Sequence, residues 1–317
     1  MVSDIIMLES DFRINENCYQ IDIQQWGVPQ VGAVYVVKGE KILLIDSGTS
    51  QTTDKILKTL EEFKISPETI SAIIITHEHY DHGAGAAELL KRMPTAMVFA
   101  SEKTAEILRN PSMFEEKSKK YYGEAAALVS PYPPVENVET VEEGDSVELG
   151  EGVSLEVVEL PGHTPGSIGL FESKTRTFFA GDAVCNYNEQ HDFYMPPSFP
   201  ELFDYEMYLK SLDKILSYKL EYLCMGHFGT QKQPKAKRVL KKAAETAKEW
   251  KKLIVNVYKK TKSEEQVYNR LLEKYGDNEY IKNIPELIRK SIIGQLIKGY
   301  IISLKLRQNH SDLVKGK

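Results

Sequence analysis

The feature that most constrains this chain is a segment of seven residues, 76–82, which reads Thr-His-Glu-His-Tyr-Asp-His. It contains three of the chain's seven histidines, together with two carboxylates. Imidazole and carboxylate groups are ligands that suit Zn²⁺, Fe²⁺ or Mn²⁺. The apolar residues 72–75 come directly before the segment and are typical of a buried strand. We therefore expect these side chains on a loop at the carboxyl end of a strand, where α/β proteins bind ligands.

Three further segments carry a candidate ligand directly after a strand-like run. His163 lies in a turn of glycine and proline that follows residues 153–160, Asp182 follows residues 178–180, and His227 follows residues 222–225. A polar loop with solvated histidines is the alternative interpretation, and the downstream segments argue against it because their ligands converge if the strands share a sheet. The seven candidate metal ligands are His77, His79, Asp81, His82, His163, Asp182 and His227.

The number and spacing of these ligands predict two metal ions with one shared ligand. One tetrahedral Zn²⁺ needs only four ligands. On an extended segment His77 and His79 point to the same side and can bind one ion, whereas Asp81 and His82 would face a neighbouring ion. A carboxylate such as Asp182 can hold two ions about 3.5–4 Å apart, and a water between them ionises near neutral pH. Such a site favours the anionic charge that develops in ester, thioester, lactone or phosphodiester cleavage.

These motifs, in their order along the chain, resemble those of the metallo-β-lactamase superfamily, and specifically its glyoxalase-II-like hydrolases with a His-x-His-x-Asp-His signature. The resemblance covers roughly residues 15–230 and implies an α/β fold, the four-layer αββα sandwich. It also matches Asp46 to an aspartate that lies near the metals without being a ligand. The ligand sets that it implies are His77, His79 and His163 for one ion, Asp81, His82 and His227 for the other, and Asp182 as the bridge.

The same resemblance implies a dinuclear metal-dependent hydrolase, in which a hydroxide that bridges the two ions attacks a small ester, thioester or lactone. Zinc is the favoured ion, with iron or manganese as alternatives. Asp81 and Asp182 are expected to take part in catalysis as well as in metal binding. Zinc β-lactamases of the best-known subclass carry a cysteine where Asp182 stands, which argues against antibiotic hydrolysis. Cys185 lies three residues further on, and we expect it to be a small buried hydrophobic residue.

Three narrower assignments are weighed against this one. Glyoxalase II binds glutathione through a Lys and a Tyr two residues apart after the bridging aspartate, and residues 183–188 contain no lysine. A nucleic-acid or nucleotide phosphodiesterase is disfavoured because the chain is acidic and its basic cluster is confined to one predicted helix. An iron-dependent oxidoreductase is disfavoured for the flavodiiron type, which replaces the second motif histidine (here His79) with Glu, whereas mononuclear iron dioxygenases stay open.

The C-terminal part of the chain differs in texture from the rest. Its length of 317 residues suits one large α/β domain and a smaller one, and we expect a metal-binding domain at residues 1–230 and a helical domain at residues 231–317. Residues 232–262 contain twelve Lys or Arg and two Glu, a net +10, against −6 for the whole chain. Apolar residues from Val239 through Trp250 to Val257 recur at spacings of three and four, which predicts a long helix with a core stripe and a lysine face. Ser263 should cap the next helix.

A third helix is predicted at residues 285–306, and we expect the three helices to pack near the mouth of the metal pocket, or on a second chain of a homodimer. Earlier in the chain we predict a hairpin at residues 31–46, a helix at residues 52–63 and another at residues 83–92. Residues 186–200 contain three prolines and four aromatic residues. Either they wall the pocket or they pack on the surface, and the pattern leaves both open; His191 is expected to be exposed.

Location and partners are predicted from what the sequence lacks. The first seven residues have no basic start and no apolar core of a signal peptide. No apolar run approaches about 18 residues, so no membrane-spanning helix is expected. Three cysteines form no CxxC pair, which fits a reducing compartment. We expect a cytoplasmic protein with a small-molecule substrate and no membrane partner.

Overall fold

The computed structural model describes residues 12–128 and 131–306. The predicted absence of a signal peptide concerns residues that lie outside this part, as do the last eleven residues of the predicted helical domain. The first half contains β1 (Cys18–Asp22), β2 (Ala33–Lys38), β3 (Ile42–Ile45), α1 (Thr53–Glu62), β4 (Ile70–Ile75), α2 (Tyr80–Gly83), α3 (Ala86–Leu90), β5 (Met97–Ala100), α4 (Glu102–Arg109), α5 (Ser112–Tyr122) and β6 (Val138–Thr140).

The second half begins with four strands and ends with four helices. It contains β7 (Ser146–Gly150), β8 (Val153–Glu159), β9 (Ile168–Glu172), β10 (Thr177–Phe179), β11 (Asn186–Asn188), β12 (Phe193–Met195), α6 (Tyr205–Ser217), β13 (Tyr222–Cys224), β14 (Thr230–Lys232), α7 (Lys235–Thr261), α8 (Glu264–Tyr275), α9 (Glu279–Asn283) and α10 (Glu286–Ser303). Short 3-10 helices lie at Gln25–Gly27, Pro67–Thr69 and Gly123–Leu128.

Two six-stranded sheets form the centre of the fold. The first has the order β1-β2-β3-β4-β5-β6, in which β1, β2 and β3 pair antiparallel and β3 to β6 pair parallel. The second has the order β14-β13-β10-β9-β8-β7. Within it β10 and β13 are parallel, while β9 is antiparallel to both β8 and β10. Strands β8, β10 and β13 therefore run in one direction, and the loops that follow them leave at the same edge.

Alternating apolar residues let each sheet bury both of its faces. Between the sheets, Val37 and Ile74 of the first share a core with Val157 and Phe179 of the second. The outer face of the first sheet packs on α1 and α3 to α5, and that of the second on α6 and the C-terminal helices. The four layers are thus helix, sheet, sheet and helix, and the predicted αββα sandwich with a helical C-terminal region is confirmed.

The C-terminal helices are built as the periodicity predicts. Val239 and Trp250 of α7 are buried in the same core as Phe178 and Leu223 of the second sheet. The side chain of Ser263 accepts a hydrogen bond from the backbone N–H of Gln266, so the predicted cap of α8 is confirmed. Among residues 12–128 and 131–306, no helix combines the length and the apolar character that a bilayer crossing requires.

Two local predictions are wrong. The helix predicted at residues 83–92 is instead the two short helices α2 and α3. The break has a physical cause, because the N–H of Gly85 donates to the carbonyl of Gly48 at 2.9 Å rather than to a preceding turn. The irregular stretch predicted at residues 186–200 contains the hairpin β11–β12, in which Tyr187 and Tyr194 stack with ring centroids 4.4 Å apart.

Candidate metal centre

Four loops converge at one edge of the sandwich, and each follows a strand. The loop after β4 carries the His-x-His-x-Asp-His motif, and the loops after β8, β10 and β13 carry the other three candidate ligands. Backbone hydrogen bonds tie these loops together: the N–H of Ile168 donates to the carbonyl of Thr76 at 2.9 Å, and that of Gly226 to Gly181 at 3.0 Å. All seven ligand atoms predicted from the sequence lie in this region, and they fall into overlapping groups of three.

The first group contains three buried imidazoles, those of His77, His79 and His163. Nδ1 of His79 lies 3.1 Å from Nε2 of His77 and 2.9 Å from Nε2 of His163. Burial opposes protonation of all three; it holds the pKa of His77 and His79 well below the usual value and lowers that of His163 to about 4. At neutral pH these rings present lone pairs to one another, and a cation between them would satisfy all three.

The second group contains Asp81, His82 and His227. Nε2 of His82 lies 3.9 Å from Oδ1 of Asp81, and Nε2 of His227 lies 3.7 Å from Oδ2 of the same residue. Burial opposes a positive charge on both imidazoles, but the carboxylates outweigh it. The pKa of His82 is raised to about 10, chiefly by Asp182 and Asp46, and that of His227 to about 9, chiefly by Asp182.

Asp182 lies between the two groups. Its Oδ2 is 3.5 Å from Nε2 of His163 in the first group and 3.0 Å from Nε2 of His227 in the second. Its Oδ1 is 3.5 Å from Nε2 of His82. Burial would raise the pKa of this carboxyl, but the neighbouring imidazoles His227 and His82 hold it well below its usual value. The carboxylate is therefore ionised and faces both groups.

The donor set fits a cation. Nε2 of His82 and Oδ1 of Asp182 are buried and have no hydrogen-bond partner within the protein, although a buried polar atom without a partner costs free energy. Imidazole and carboxylate are ligands of Zn²⁺, Fe²⁺ and Mn²⁺. These His and Asp residues are positioned to bind a metal.

Surrounding hydrogen bonds fix which nitrogen of each ring faces the centre. Nδ1 of His82 donates to Oδ2 of Asp46 at 2.8 Å, and Nδ1 of His227 donates to the carbonyl of Val31 at 3.1 Å. Oδ1 of Asp46 also accepts from the N–H and the hydroxyl of Thr76 at 2.8 and 2.9 Å. Asp46 has a left-handed φ of 65°, which a non-glycine residue adopts only when its surroundings enforce it. It thus orients a ligand and is not positioned as one itself.

Two supporting residues carried no signal in the sequence. The buried Gln25, between β1 and β2, donates from Nε2 to Oδ2 of Asp81 at 3.3 Å. Glu78 lies within the motif but turns away from the centre, where its Oε2 accepts from Thr164 at 2.9 Å and Thr104 at 3.3 Å. Burial raises the pKa of Glu78, and the residue joins the motif loop to the loop of His163. Both are generic polar residues whose partners are distant in sequence.

A cavity of about 280 Å³ opens beside the metal centre. His79, Asp81, His163, Asp182 and His227 form part of its lining, and residues 195 and 197–199 form another part. Phe199 packs on His79 with ring centroids 4.8 Å apart, so the stretch at residues 186–200 does wall the pocket. His191 also lines the cavity and is half-buried, not fully exposed as expected. Cys185 is buried in the core, as expected.

The C-terminal helices differ in their relation to this cavity. Residues of α10 line it, whereas no residue of α7, all of which the structure describes, does so. The expected position of the tail near the pocket mouth therefore holds for α10. Lysines of α7 make surface ion pairs instead, such as Lys251 with Glu206 at 3.1 Å and Lys235 with Glu189.

Comparison with known families decides the assignment of the fold. The profile of the "Metallo-beta-lactamase superfamily" matches residues 26–227, which include all seven candidate ligands. The chain belongs to this superfamily.

Curated relatives within and around the superfamily are distant. An uncharacterized protein of Aquifex aeolicus is 32% identical over 147 residues, which cover 46% of this chain and 61% of that protein. A protein of Bacillus subtilis named "Probable metallo-hydrolase YflN" is 25% identical over 217 residues, 62% of this chain and 81% of its own. The "Anaerobic nitric oxide reductase flavorubredoxin" of Vibrio vulnificus is 25% identical over 156 residues, 49% of this chain and 26% of its own length. The chain thus spans less than two thirds of most of these relatives.

Solved structures of the superfamily resemble almost the whole chain. A metallo-β-lactamase superfamily protein of Sulfolobus tokodaii has a TM-score of 0.65 at 19% identity and covers 92% of this chain and 99% of its own. A metallo-β-lactamase family protein of Thermus thermophilus has a TM-score of 0.70 at 17% identity and covers 93% and 95%. At such identities the likeness concerns the fold, which here includes the C-terminal helices.

Proposed function

We propose that this superfamily member is a dinuclear metal-dependent hydrolase of a small ester, thioester or lactone, with a glyoxalase-II-like ligand arrangement. The observation that carries the proposal is the position of Asp182, whose Oδ2 lies 3.5 Å from Nε2 of His163 and 3.0 Å from Nε2 of His227. A carboxylate between two groups of ligands suits two ions that share it. We favour zinc, with iron or manganese as alternatives.

The proposed roles of the side chains follow from their contacts. Two divalent ions would acidify a water and stabilise the oxyanion of the attacked carbonyl. Asp182 and Asp81 would hold that pair of charges, and Gln25 would keep Asp81 oriented through its 3.3 Å hydrogen bond. Asp46 would keep Nε2 of His82 directed inward. The hydrophobic cover of Phe199 over His79 would limit the access of bulk water.

Metal analysis of Asp182→Ala tests the proposal. The wild-type protein, purified gently, should contain close to two equivalents of metal and hydrolyse at least one member of an ester, thioester and lactone panel. Loss of the shared ligand weakens both ions, so the variant should lose metal and about 100-fold or more in turnover. Asp213→Ala, an exposed position on α6, is the matched control and should change neither value. Near-native turnover of Asp182→Ala in metal-saturated buffer would overturn the assigned role.

A second candidate, an iron-dependent oxidoreductase on the same ligands, rests on the relatives named flavorubredoxin and diflavin flavoprotein. Selective enrichment in iron together with oxygen consumption, and no hydrolysis across the panel, would favour it over the hydrolase. A phosphodiesterase has less support, because the basic helix α7 does not line the cavity. Location in the cytoplasm, division of the chain near residue 230 and a homodimer stay predictions.

A further inference from the structure

We infer that the substrate is an uncharged ester or lactone with an aliphatic acyl chain, and that α10 provides the wall that binds this chain. The inference rests on the proposed hydrolase function and narrows its substrate class. It is carried by the lining of the cavity beside the metal centre, which has an apolar wall, a set of neutral amides and no cationic side chain among the described residues.

The apolar wall comes from one face of the C-terminal helix and the residue before it. Ile284, Ile288, Ile292 and Leu296 recur at every fourth position, so they lie along a single stripe, and all four line the cavity. Further apolar side chains complete the lining; they are Trp26, Val28, Met195 and Phe199. Val28 is 41% exposed, which is unusual for an apolar side chain that serves only the core. A stripe of branched aliphatic residues open to a cavity suits an alkyl chain.

The charges in the lining exclude anionic substrate carriers. Among the described residues that line the cavity there is no Lys and no Arg, and its acidic members are the metal-site carboxylates Asp81 and Asp182. A buried phosphate or carboxylate of a coenzyme A, nucleotide or glutathione moiety would need a cationic partner. The polar part of the lining is instead neutral and includes Gln30, Asn186 and Asn188.

Two polar atoms in this lining lack partners and point to an uncharged polar group in the substrate. Nε1 of Trp26 and Oε1 of Gln25 are both buried and make no hydrogen bond within the protein. One is a donor and the other an acceptor, as an ester or lactone head group with neutral substituents requires. Trp26 is held at a left-handed φ of 58°, a conformation that non-glycine residues adopt at a cost and often at ligand sites.

The wall has a fixed position relative to the metal centre. The hydroxyl of Ser198 donates to the carbonyl of Leu296 at 2.7 Å. The next residue, Phe199, packs on His79, with ring centroids 4.8 Å apart. Gly299 allows this close approach, because a Cβ there would lie 2.6 Å from Oγ of Ser198. An acyl chain on the α10 stripe would therefore place its carbonyl at a defined distance from the metal ligands.

The experiment measures kcat/KM of the metal-loaded protein for 4-nitrophenyl esters from acetate to decanoate, and for the 4-nitrophenyl half-ester of adipic acid, whose chain ends in a carboxylate. We expect a rise of up to about fourfold for each methylene that the wall buries, with a plateau where the wall ends. The half-ester should be at least about tenfold poorer than hexanoate, because its charge would be buried without a partner.

Ile288→Lys should reverse this preference. The variant should lose most of the rise with chain length and gain activity toward the half-ester, while its kcat/KM for acetate stays within about threefold of wild type. Ile288→Ala should only flatten the rise, which tests the wall without adding a charge. Leu287→Lys is the matched control, since Leu287 is 53% exposed on the same helix and does not line the cavity; it should behave as wild type.

The outcomes separate this inference from the proposed function. If no ester is hydrolysed under any metal condition, the hydrolase itself is wrong. If acetate is hydrolysed in a metal-dependent way but kcat/KM does not rise with chain length, or the half-ester is preferred by the wild type, the hydrolase stands and the acyl-chain wall is refuted. Unchanged chain-length profiles in both Ile288 variants, with unchanged melting, would also refute the role of α10.

Discussion

Gly226 gives the sharpest test of the metal-centre geometry. It follows β13 and precedes the ligand His227, and its φ lies outside the left-handed region, so alanine there is not strained by its backbone. A Cβ at this position would lie 2.4 Å from Oδ1 of Asp182 and 2.7 Å from Cε1 of His82. Glycine is thus required for space between two ligands and not for conformational freedom.

The size of the effect follows from these distances. To restore a contact of about 3.0–3.4 Å from 2.4 Å, the carboxylate of Asp182 must retreat by about 0.6–1.0 Å. Metal sites tolerate ligand displacements of about 0.2 Å, and a misplacement of about 1 Å in a catalytic site costs on the order of 100-fold in rate. We therefore expect Gly226→Ala to lose at least one metal equivalent and about 100-fold in turnover.

The assay is competition for metal against a chromophoric chelator, with circular dichroism to show that the fold is retained. Gly294→Ala is the matched control, because nothing lies within 4 Å of a Cβ at that position of α10. It should bind metal as wild type does and gain about 0.5–1 kcal/mol of stability from its helical propensity. If Gly226→Ala binds two ions with wild-type affinity and turns over within threefold of wild type, the arrangement of Asp182 and His82 inferred from these distances is wrong.

Two further predictions concern pH and the core. In the metal-free protein His82 and His227 have pKa values of about 10 and about 9, so both are protonated at pH 7 and must release protons when an ion binds; affinity of the second half-site should rise steeply from pH 6 to 9. The first half-site, where the pKa of His163 is about 4, should bind almost independently of pH above about 6.5, and calorimetry in buffers of different ionisation enthalpy, with equal proton release in both steps as the contrary result, checks this. Trp250→Ala should cost about 3–5 kcal/mol in urea unfolding, because Trp250 is 1% exposed in the core that α7 shares with the second sheet; Lys248→Ala, exposed on the same helix, should cost almost nothing, and equal midpoints for the two would show that α7 is not part of the cooperative core.

Much of the site was predictable because its chemistry is concentrated in short motifs. Three histidines within six residues after an apolar run have few uses other than metal binding, and a strand's carboxyl end is where such a motif must lie. The strands and the long helices were predictable for a related reason, since the periods of two and of 3.6 residues record which face each element buries. The break between α2 and α3 was missed because it depends on a hydrogen bond from Gly85 to a loop more than thirty residues earlier.

The sequence by itself determined the ligand types, the order of the ligand loops and the layer architecture, because these depend on local residue patterns. Only the tertiary structure decided how the ligands divide into two groups around Asp182, since that division depends on distances between loops far apart in the chain. It also decided that Gln25 supports Asp81 and that the apolar stripe of α10 faces a cavity, although the same stripe in sequence is equally typical of a buried core. Periodicity shows that a helix face must be covered, and only the packed fold shows whether protein or substrate covers it.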